Sequence, residues 1–261
     1  TTFTIGAGRT LTAAGSAVTV GTNCNFAGAG TLLLEVSAPN TLLTYTTPAT
    51  SAVPNLTIAD NVALAGGVAG SNLTVTTAFN HTGGNINLGT AELILTGNYT
   101  RTAGTYTGTN YITWNSAGVW NHGPAVTYPK LQVAAALNLG ATGMVTVADE
   151  LYLNGFLLDQ TTGGVGYLTI GDADGAVVRV AGAGNMATGA GELAPTFVSP
   201  TDYIFVGASS NPNAFTWPAN QARNVTLNTN AGAIVTNSVT RTINGDVDLT
   251  NVVFEKERKK I

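Results

Sequence analysis

The chain is poor in charge, in thiols and in imidazoles. Of its 261 residues, 9% are charged, against about 25% in an ordinary soluble domain, and only two are histidine and one is cysteine. The single Cys24 excludes an internal disulfide. A net charge of −4 offers no general attraction to nucleic acid, and no apolar run is long enough to span a bilayer as a helix. We therefore expect no nucleic-acid partner and no membrane span.

The residues that are abundant instead favour strands and turns. The chain has 32 glycines, and 44% of its residues are hydrophobic, with a mean hydropathy of +0.21, so it can bury a core. No long stretch carries apolar residues at the i, i+3, i+4 spacing of an amphipathic helix, whereas apolar and polar residues alternate in short segments. The composition predicts an all-β protein.

A short apolar–polar–apolar pattern recurs about every twenty residues. Its leading positions are Leu11, Leu33, Leu56, Leu73, Leu93, Tyr111, Leu131, Leu151, Leu168, Tyr203, Val225 and Val247. The spacing is nearly constant except for one wide gap between Leu168 and Tyr203, which has room for one more strand at 177–180. A fixed period of this kind is typical of a chain that winds, with one coil per period. We predict a β-solenoid of about a dozen coils with ~20 residues per coil.

A longer unit is superimposed on this period. The segments 54–58, 129–133 and 223–227 resemble one another, and each follows an apolar strand that lies one period earlier. Because no linker-like stretch precedes residue 254, we predict one solenoid domain over residues 1–254 and a charged C-terminal tail over 255–261. The alternative fold is two or three tandem β-sandwiches, which also have regularly spaced strands but no reason to keep one spacing across domain boundaries.

The stretch from Leu73 to Leu158 carries a more specific pattern. Its matching segments are Leu95-Thr-Gly-Asn-Tyr-Thr100, Gly104-Thr-Tyr106, Gly108-Thr109, Ile112-Thr-Trp-Asn115, Tyr128-Pro-Lys-Leu-Gln-Val133 and Leu151-Tyr-Leu-Asn-Gly155. In this arrangement the stretch resembles the coil repeats of large secreted surface proteins of Bacteroidetes-type bacteria. The resemblance implies a right-handed parallel β-helix in an adhesin-like or otherwise structural extracellular protein. It concerns a style of repeat and implies no catalytic residue.

Asp172 and Asp174 are the candidate metal ligands. Their spacing, between Gly171 and Gly175, could place two carboxylates on one Ca²⁺, a hard cation that prefers oxygen ligands. The distal Glu that would complete such a loop is missing, and Asp and Gly are favoured in turns for backbone reasons alone. A plain turn is the preferred interpretation, and no other cofactor is expected.

Catalysis on such a fold would need acids on neighbouring coils of one face. Asp149, Glu150 and Asp159 come nearest to this arrangement, with Lys130 about one coil earlier. Because charged residues are scarce, we interpret their proximity as coincidence and predict that the protein is not an enzyme.

The aromatic residues and the histidines have structural interpretations. A sugar-binding strip could be formed by Trp114, Trp120, Trp217, Tyr99, Tyr106 and Tyr111. Stacking inside the solenoid is the more common use of such side chains. Both histidines, His81 and His122, are expected in loops or turns, since no second ligand or triad partner lies at a suitable spacing.

The predicted function is that of a non-catalytic extracellular structural protein that associates with itself into a filament, sheath or cell-surface layer. A solenoid cut at a coil boundary leaves a strand edge that can pair, and low charge removes repulsion that would oppose stacking. The chain starts at Thr1 without Met, which fits a mature secreted form or a fragment of a longer polypeptide. The alternative is a carbohydrate-active β-helix, either a polysaccharide lyase or a glycan-binding adhesin module, with glycans as partners.

Overall fold

The computed structural model describes residues 2–21, 25–139, 143–159, 168–186, 194–230, 233–236 and 241–249. Within these ranges every regular element is a β-strand, and they contain no helix of the length and hydrophobicity that crossing a membrane would require. Cys24 and the charged tail expected at 255–261 lie outside the described residues.

The strands are short and evenly distributed. The first thirteen are β1 (Thr2–Thr4), β2 (Thr10–Ala14), β3 (Ala17–Thr19), β4 (Asn25–Ala27), β5 (Thr31–Glu35), β6 (Leu43–Thr47), β7 (Thr50–Ile58), β8 (Val62–Gly66), β9 (Asn72–His81), β10 (Asn85–Leu88), β11 (Glu92–Leu95), β12 (Asn98–Arg101) and β13 (Thr105–Gly108). The next thirteen are β14 (Tyr111–Trp114), β15 (Trp120–Asn121), β16 (Val126–Val133), β17 (Leu137–Asn138), β18 (Val145–Asn154), β19 (Leu157–Asp159), β20 (Leu168–Ile170), β21 (Ala176–Ala181), β22 (Asn185–Met186), β23 (Thr196–Phe197), β24 (Thr201–Gly207), β25 (Ala222–Thr229) and β26 (Val247–Asp248).

The strands pair in parallel from one coil to the next. Among the described residues the largest sheet has sixteen strands, and its main path runs β2-β5-β7-β9-β11-β14-β16-β18-β21-β24-β25-β26. The described part of the chain makes about ten turns spaced about 22 residues apart. The prediction of an all-β parallel solenoid is confirmed. Tandem sandwiches, which are built from antiparallel sheets, do not describe this topology.

Each coil has three faces, which the hydrogen-bonded ladders define. Face A contains β2, β5, the second halves of β7 and β9, then β12 and β15; β17, β19 and β22 take the same place in later coils. Face B contains the first halves of β7 and β9, then β11, β14, the second halves of β16 and β18, β21, β24, β25 and β26. Face C contains β3, β6, β8, β10 and β13, and later the first halves of β16 and β18 with β20 and β23.

The sequence period does not stay on one face. Leu56 lies on face A and Leu73 on face B, and Leu151 lies on face B and Leu168 on face C. Each of these two intervals, the shortest in the series, therefore covers only part of a coil. The expectation of one coil per interval is wrong at both places, which is why the period predicts a dozen coils instead of about ten. The additional strand expected at 177–180 is confirmed as part of β21.

The longer sequence unit marks positions where the register shifts. Shifts lie at Pro54 in β7, at Pro129 in β16 and at Asp202 in β24, which pairs with β25. Pro54 and Pro129 sit where their strands pass from one face to the next. Proline has no N–H to donate to a ladder, so a corner at which the ladder is already interrupted accommodates it.

Alternate residues of every face fill the core. In β16, for example, Leu131 and Val133 are fully buried while Gln132 between them is half-buried on the outside, as the two-residue period of a strand requires. In the middle coils the filling becomes aromatic. The rings of Phe79, Tyr99, Tyr106, Trp114, Trp120 and Tyr128 are all buried, and several pairs have ring centroids 4.5–5.7 Å apart.

His81 belongs to this interior rather than to a loop. It is the last residue of β9 and fully buried, with its Nε2 atom 2.8 Å from the carbonyl oxygen of Gly83. Its ring lies edge-on to Tyr106 at 4.9 Å, and a Cβ at Gly104 would lie only 2.3 Å from Nε2. His122, although outside a strand, is also buried. The expectation that the histidines lie in loops or turns is therefore wrong for His81 and confirmed for His122.

We predict that the protein loses stability on mild acidification because of His81. Burial, only partly opposed by the hydrogen bond to Gly83, lowers the pKa of His81 from 6.5 to about 4. At pH values between about 4 and 6.5, the His81 imidazole is therefore largely protonated in the unfolded chain but largely neutral in the folded chain. The free energy of unfolding should thus fall as the pH drops from about 6.5 to about 4, by up to about 3 kcal/mol. The pKa of His122 is lowered in the same direction, chiefly by burial.

Urea unfolding at a series of pH values measures this effect. A His81→Gln variant has no titrating ring, so its stability should depend less steeply on pH over the same interval. An unchanged pH slope in this variant would show that His81 is not the group responsible.

Candidate functional site

Three charged side chains on neighbouring coils of face B meet on the outer surface. Lys130 Nζ lies 3.7 Å from Glu150 Oε2, and Arg179 Nε donates to Glu150 Oε1 at 2.7 Å. The Glu150 side chain is only 9% exposed, although it lies on the outside, because its neighbours cover it. With Tyr111 and Tyr152 these residues form what we call the Glu150 cluster.

The register of the ladder brings the five residues together. Tyr111, Lys130 and Glu150 are successive partners in one column of the sheet, and Tyr152 and Arg179 are partners in the adjacent column. Stacked strands are about 4.8 Å apart, so partners in a column touch. The cations also lie over the rings, with Lys130 Nζ 5.6 Å from the Tyr111 centroid and Arg179 Cζ 5.7 Å from that of Tyr152.

At neutral pH the cluster carries two cations and one carboxylate. Partial burial opposes the charge of Arg179, yet its hydrogen bond to Glu150 and the attraction between them raise its pKa overall. Burial, and then Glu150, raise the pKa of Tyr111 far above its usual value, so the phenol stays protonated and is no base. The cluster can therefore present cationic hydrogen-bond donors to a polar ligand, while the Tyr111 hydroxyl is hydrogen-bonded to Glu150.

Only one of the three acids considered from the sequence lies beside Lys130. Glu150 does so, whereas Asp149 is exposed at the register shift opposite Pro129. Asp159 lies on β19, on another face, where it accepts a hydrogen bond from Asn138 at 3.2 Å. The arrangement of paired carboxylates is thus not present among these acids. Arg179, which sequence reasoning did not connect to the cluster, takes the position next to Glu150 instead.

Asp172 and Asp174 lie in an exposed turn. The carboxylate of Asp172 accepts the backbone N–H of Asp174 at 2.9 Å, and its carbonyl oxygen accepts from Ser199 Oγ at 3.0 Å. The Arg223 guanidinium approaches the same turn, since a Cβ at Gly175 would lie 3.1 Å from its Nη1 atom. A neighbouring cation disfavours Ca²⁺ binding, and the described ranges contain no group of three His, Cys, Asp or Glu side chains arranged around a metal. Calcium binding by Asp172 and Asp174 stays a prediction. The hydrogen bonds of an ordinary turn account for the positions of both residues.

The aromatic residues do not form a strip on the surface. Trp114, Trp120, Trp217, Tyr99 and Tyr106 are at most 6% exposed and point into the solenoid. Of the six residues considered for sugar binding, only Tyr111 reaches the outside, in the Glu150 cluster. The preferred interpretation, stacking inside the solenoid, is right for the other five.

Comparison with known proteins finds no matching family model, no similar curated protein and no similar solved structure. Function therefore has to be argued from the residues of this chain. The resemblance to bacterial surface repeats stays a prediction.

We predict that Glu150→Gln lowers stability because it leaves Lys130 and Arg179 as neighbouring cations without a counter-charge. The free energy of unfolding should drop by about 1–3 kcal/mol, between the values typical of surface and buried ion pairs. The matched control is Asp149→Asn, one residue away and exposed, for which a change within about 0.5 kcal/mol is expected. Chemical denaturation of both variants measures the difference, and equal effects would mean that the ion pairs contribute nothing.

We predict that the turn at Asp172 depends on its hydrogen bond and not on calcium. Asp172→Asn keeps an acceptor for the Asp174 N–H and should retain stability, whereas Asp172→Ala should lose roughly 0.5–1.5 kcal/mol. Thermal unfolding with millimolar Ca²⁺ and with a chelator should give the same melting temperature. A rise with Ca²⁺ in the natural protein that Asp172→Asn abolishes would establish the metal site instead.

Proposed function

We propose that the protein is a non-catalytic structural component of an extracellular or cell-surface assembly, in which solenoids associate end to end. The observation that carries the proposal is the outermost described coil. Its strands β1, β2 and β3 pair with β4, β5 and β6 respectively on one side. Their other edges have no ladder partner among the described residues.

These edges have the chemistry of a pairing surface. An unpaired edge offers a row of N–H and C=O groups to another strand, and proteins that avoid such pairing place Lys, Pro or a bulge there. Here the three strands read Thr-Phe-Thr, Thr-Leu-Thr-Ala-Ala and Ala-Val-Thr, without charge or proline. Phe3 is 46% exposed at this end and packs edge-on against Phe26 at 6.1 Å.

The other end of the sheet is complementary in direction. β26 is exposed and pairs with β25 on one side in the same parallel sense as every other strand. A second copy placed head to tail would continue the ladder without reversing it. Such a contact does not close on itself, so repetition gives an open filament. A coil supplied by flanking polypeptide would complete the same edge and make the segment part of an adhesin stalk instead.

The composition supports an assembly outside the cell. Residues 2–19 include one charged residue, Arg9, so little electrostatic repulsion opposes contact between copies. The near absence of thiols and the many threonines and asparagines are typical of secreted bacterial surface proteins.

A second candidate function, glycan binding or cleavage, is favoured by the Glu150 cluster alone. Lys130 and Arg179 are cations on an outer sheet face, and two tyrosines flank them. Assays for unsaturated products and reducing sugars across acidic polysaccharides separate this candidate from the structural one.

We predict that the 261-residue protein forms end-to-end oligomers whose length grows with concentration. Sedimentation velocity and negative-stain imaging should show rods in multiples of one solenoid length. A Thr12→Lys/Ala17→Lys variant places two lysines on the outermost coil and should be monomeric, since edge lysines block pairing.

The control carries the same added charge inside the ladder. Thr57 lies two coils after Thr12 in the same column of face A, and Thr44 is the ladder partner of Ala17 on face C. A Thr57→Lys/Thr44→Lys variant should therefore still form oligomers. Strictly monomeric natural protein at high concentration, or association that the edge lysines do not affect, would reject the proposal.

A further inference from the structure

The ladder of face C is interrupted in the middle of the solenoid. It runs from β3 to β13 and stops there, within the described residues. In the next coil the first residues of β16 lie beside β13 but form no ladder with it. They pair only with β18, in the coil that follows. We call this gap the seam. A cavity of about 320 Å³ opens at it, lined by residues of the two coils that flank it and, at Met144 and Thr146, of the coil that follows.

The buried guanidinium of Arg101 lies beside this cavity. Arg101 ends β12, is 5% exposed, and lines the cavity together with Gly104. Its Nε and Nη2 atoms both donate to the Gly104 carbonyl oxygen. Its Nη1 atom donates to the carbonyl oxygens of His122 and Pro124, at 3.0 Å in both cases. The side chain thus ties two coils together across the seam. A guanidinium has five N–H donors, and the fifth has no acceptor among the described residues.

This charge has no counter-charge in the described part of the protein. None of the salt bridges there involves Arg101, and no acidic side chain lines the cavity. The two nearby histidines add no charge of their own, because burial lowers the pKa of both rings and leaves them neutral. Carbonyl oxygens stabilise a buried cation only in part, and a buried charge is ordinarily paired.

The rest of the lining fits an acidic sugar or similar small organic anion. Thr105, Thr127 and Thr146 are polar residues of the lining, while Val126 and Met144 are apolar ones. The Thr105 hydroxyl already donates to Asn85 Oδ1 at 3.0 Å. The cavity is at the small end of the range for ligand sites, with room for one ring and its charged substituent.

We propose that the seam cavity binds a single oxyanion group, a carboxylate or a sulfate ester, through Arg101. The anion supplies the counter-charge that the buried guanidinium lacks, and the hydroxyls of Thr127 and Thr146 contact the neutral part of the ligand. This site is remote in sequence and in the ladder from the strand edges of the first coil. Its occupancy and the end-to-end association are therefore separately testable.

Titration calorimetry with galacturonate, inorganic sulfate and neutral galactose, at constant ionic strength, tests the proposal. Galacturonate or sulfate should bind with one site per chain, and galactose should not. Binding of galacturonate alone identifies a carboxylate site and binding of sulfate alone identifies a sulfate-ester site. Binding of both identifies a general oxyanion site.

Thr127→Glu and Thr127→Gln provide a matched pair of variants. Thr127 is exposed at the cavity and outside the core, so both variants should fold, which their melting temperatures verify. The added carboxylate should weaken anion binding at least ~10-fold, because it takes the place of the anion beside Arg101. The glutamine, equal in size, should leave binding nearly unchanged. Equal anion binding by the two variants, galactose binding as strong as that of galacturonate, or no binding of either anion would overturn the proposal.

Discussion

Hydrogen bonding between parallel strands of successive coils is the interaction on which the rest of this structure depends. Once a strand on face B pairs in register with the one before it, each residue is stacked over a partner about 4.8 Å away. Alternation then divides the partners into columns inside and columns outside. The inside columns hold the apolar core. The outside columns bring Tyr111, Lys130 and Glu150 together although each comes from a different coil.

The same regularity explains what could be predicted from the sequence and what could not. The period and the two-residue alternation are enough to predict a parallel solenoid. They do not tell one face from another, because Leu56 on face A and Leu73 on face B have the same local pattern. Assignment to a face depends on where the chain turns, and the register shifts at Pro54 and Pro129 are visible only in the ladder.

The candidate sites were predictable to the extent that they follow coil spacing. Lys130 and Glu150 are one coil apart and were associated correctly, whereas Arg179 comes from a longer coil and was not. The burial of His81 contradicts its prediction as a loop or turn residue, which rests on the lack of a second ligand at a suitable spacing, and the burial of Arg101 is not predicted from the sequence. The strand pattern nevertheless indicates this burial. His81 follows the core residue Phe79 by two positions, and Arg101 follows the core residue Tyr99 by two, so the two-residue alternation of a strand turns both side chains inward.

The seam also has a mechanical consequence. Faces A and B continue through it as ladders, from β12 to β15 and from β14 to β16, while face C changes from one sheet to another. At this level side chains replace part of the missing backbone pairing, with Arg101 and the hydroxyls of Tyr99 and Tyr128 reaching across. A rod whose backbone ladder is interrupted on one face only is most compliant at that face. Under load it should bend so that face C opens or closes, which widens or narrows the cavity.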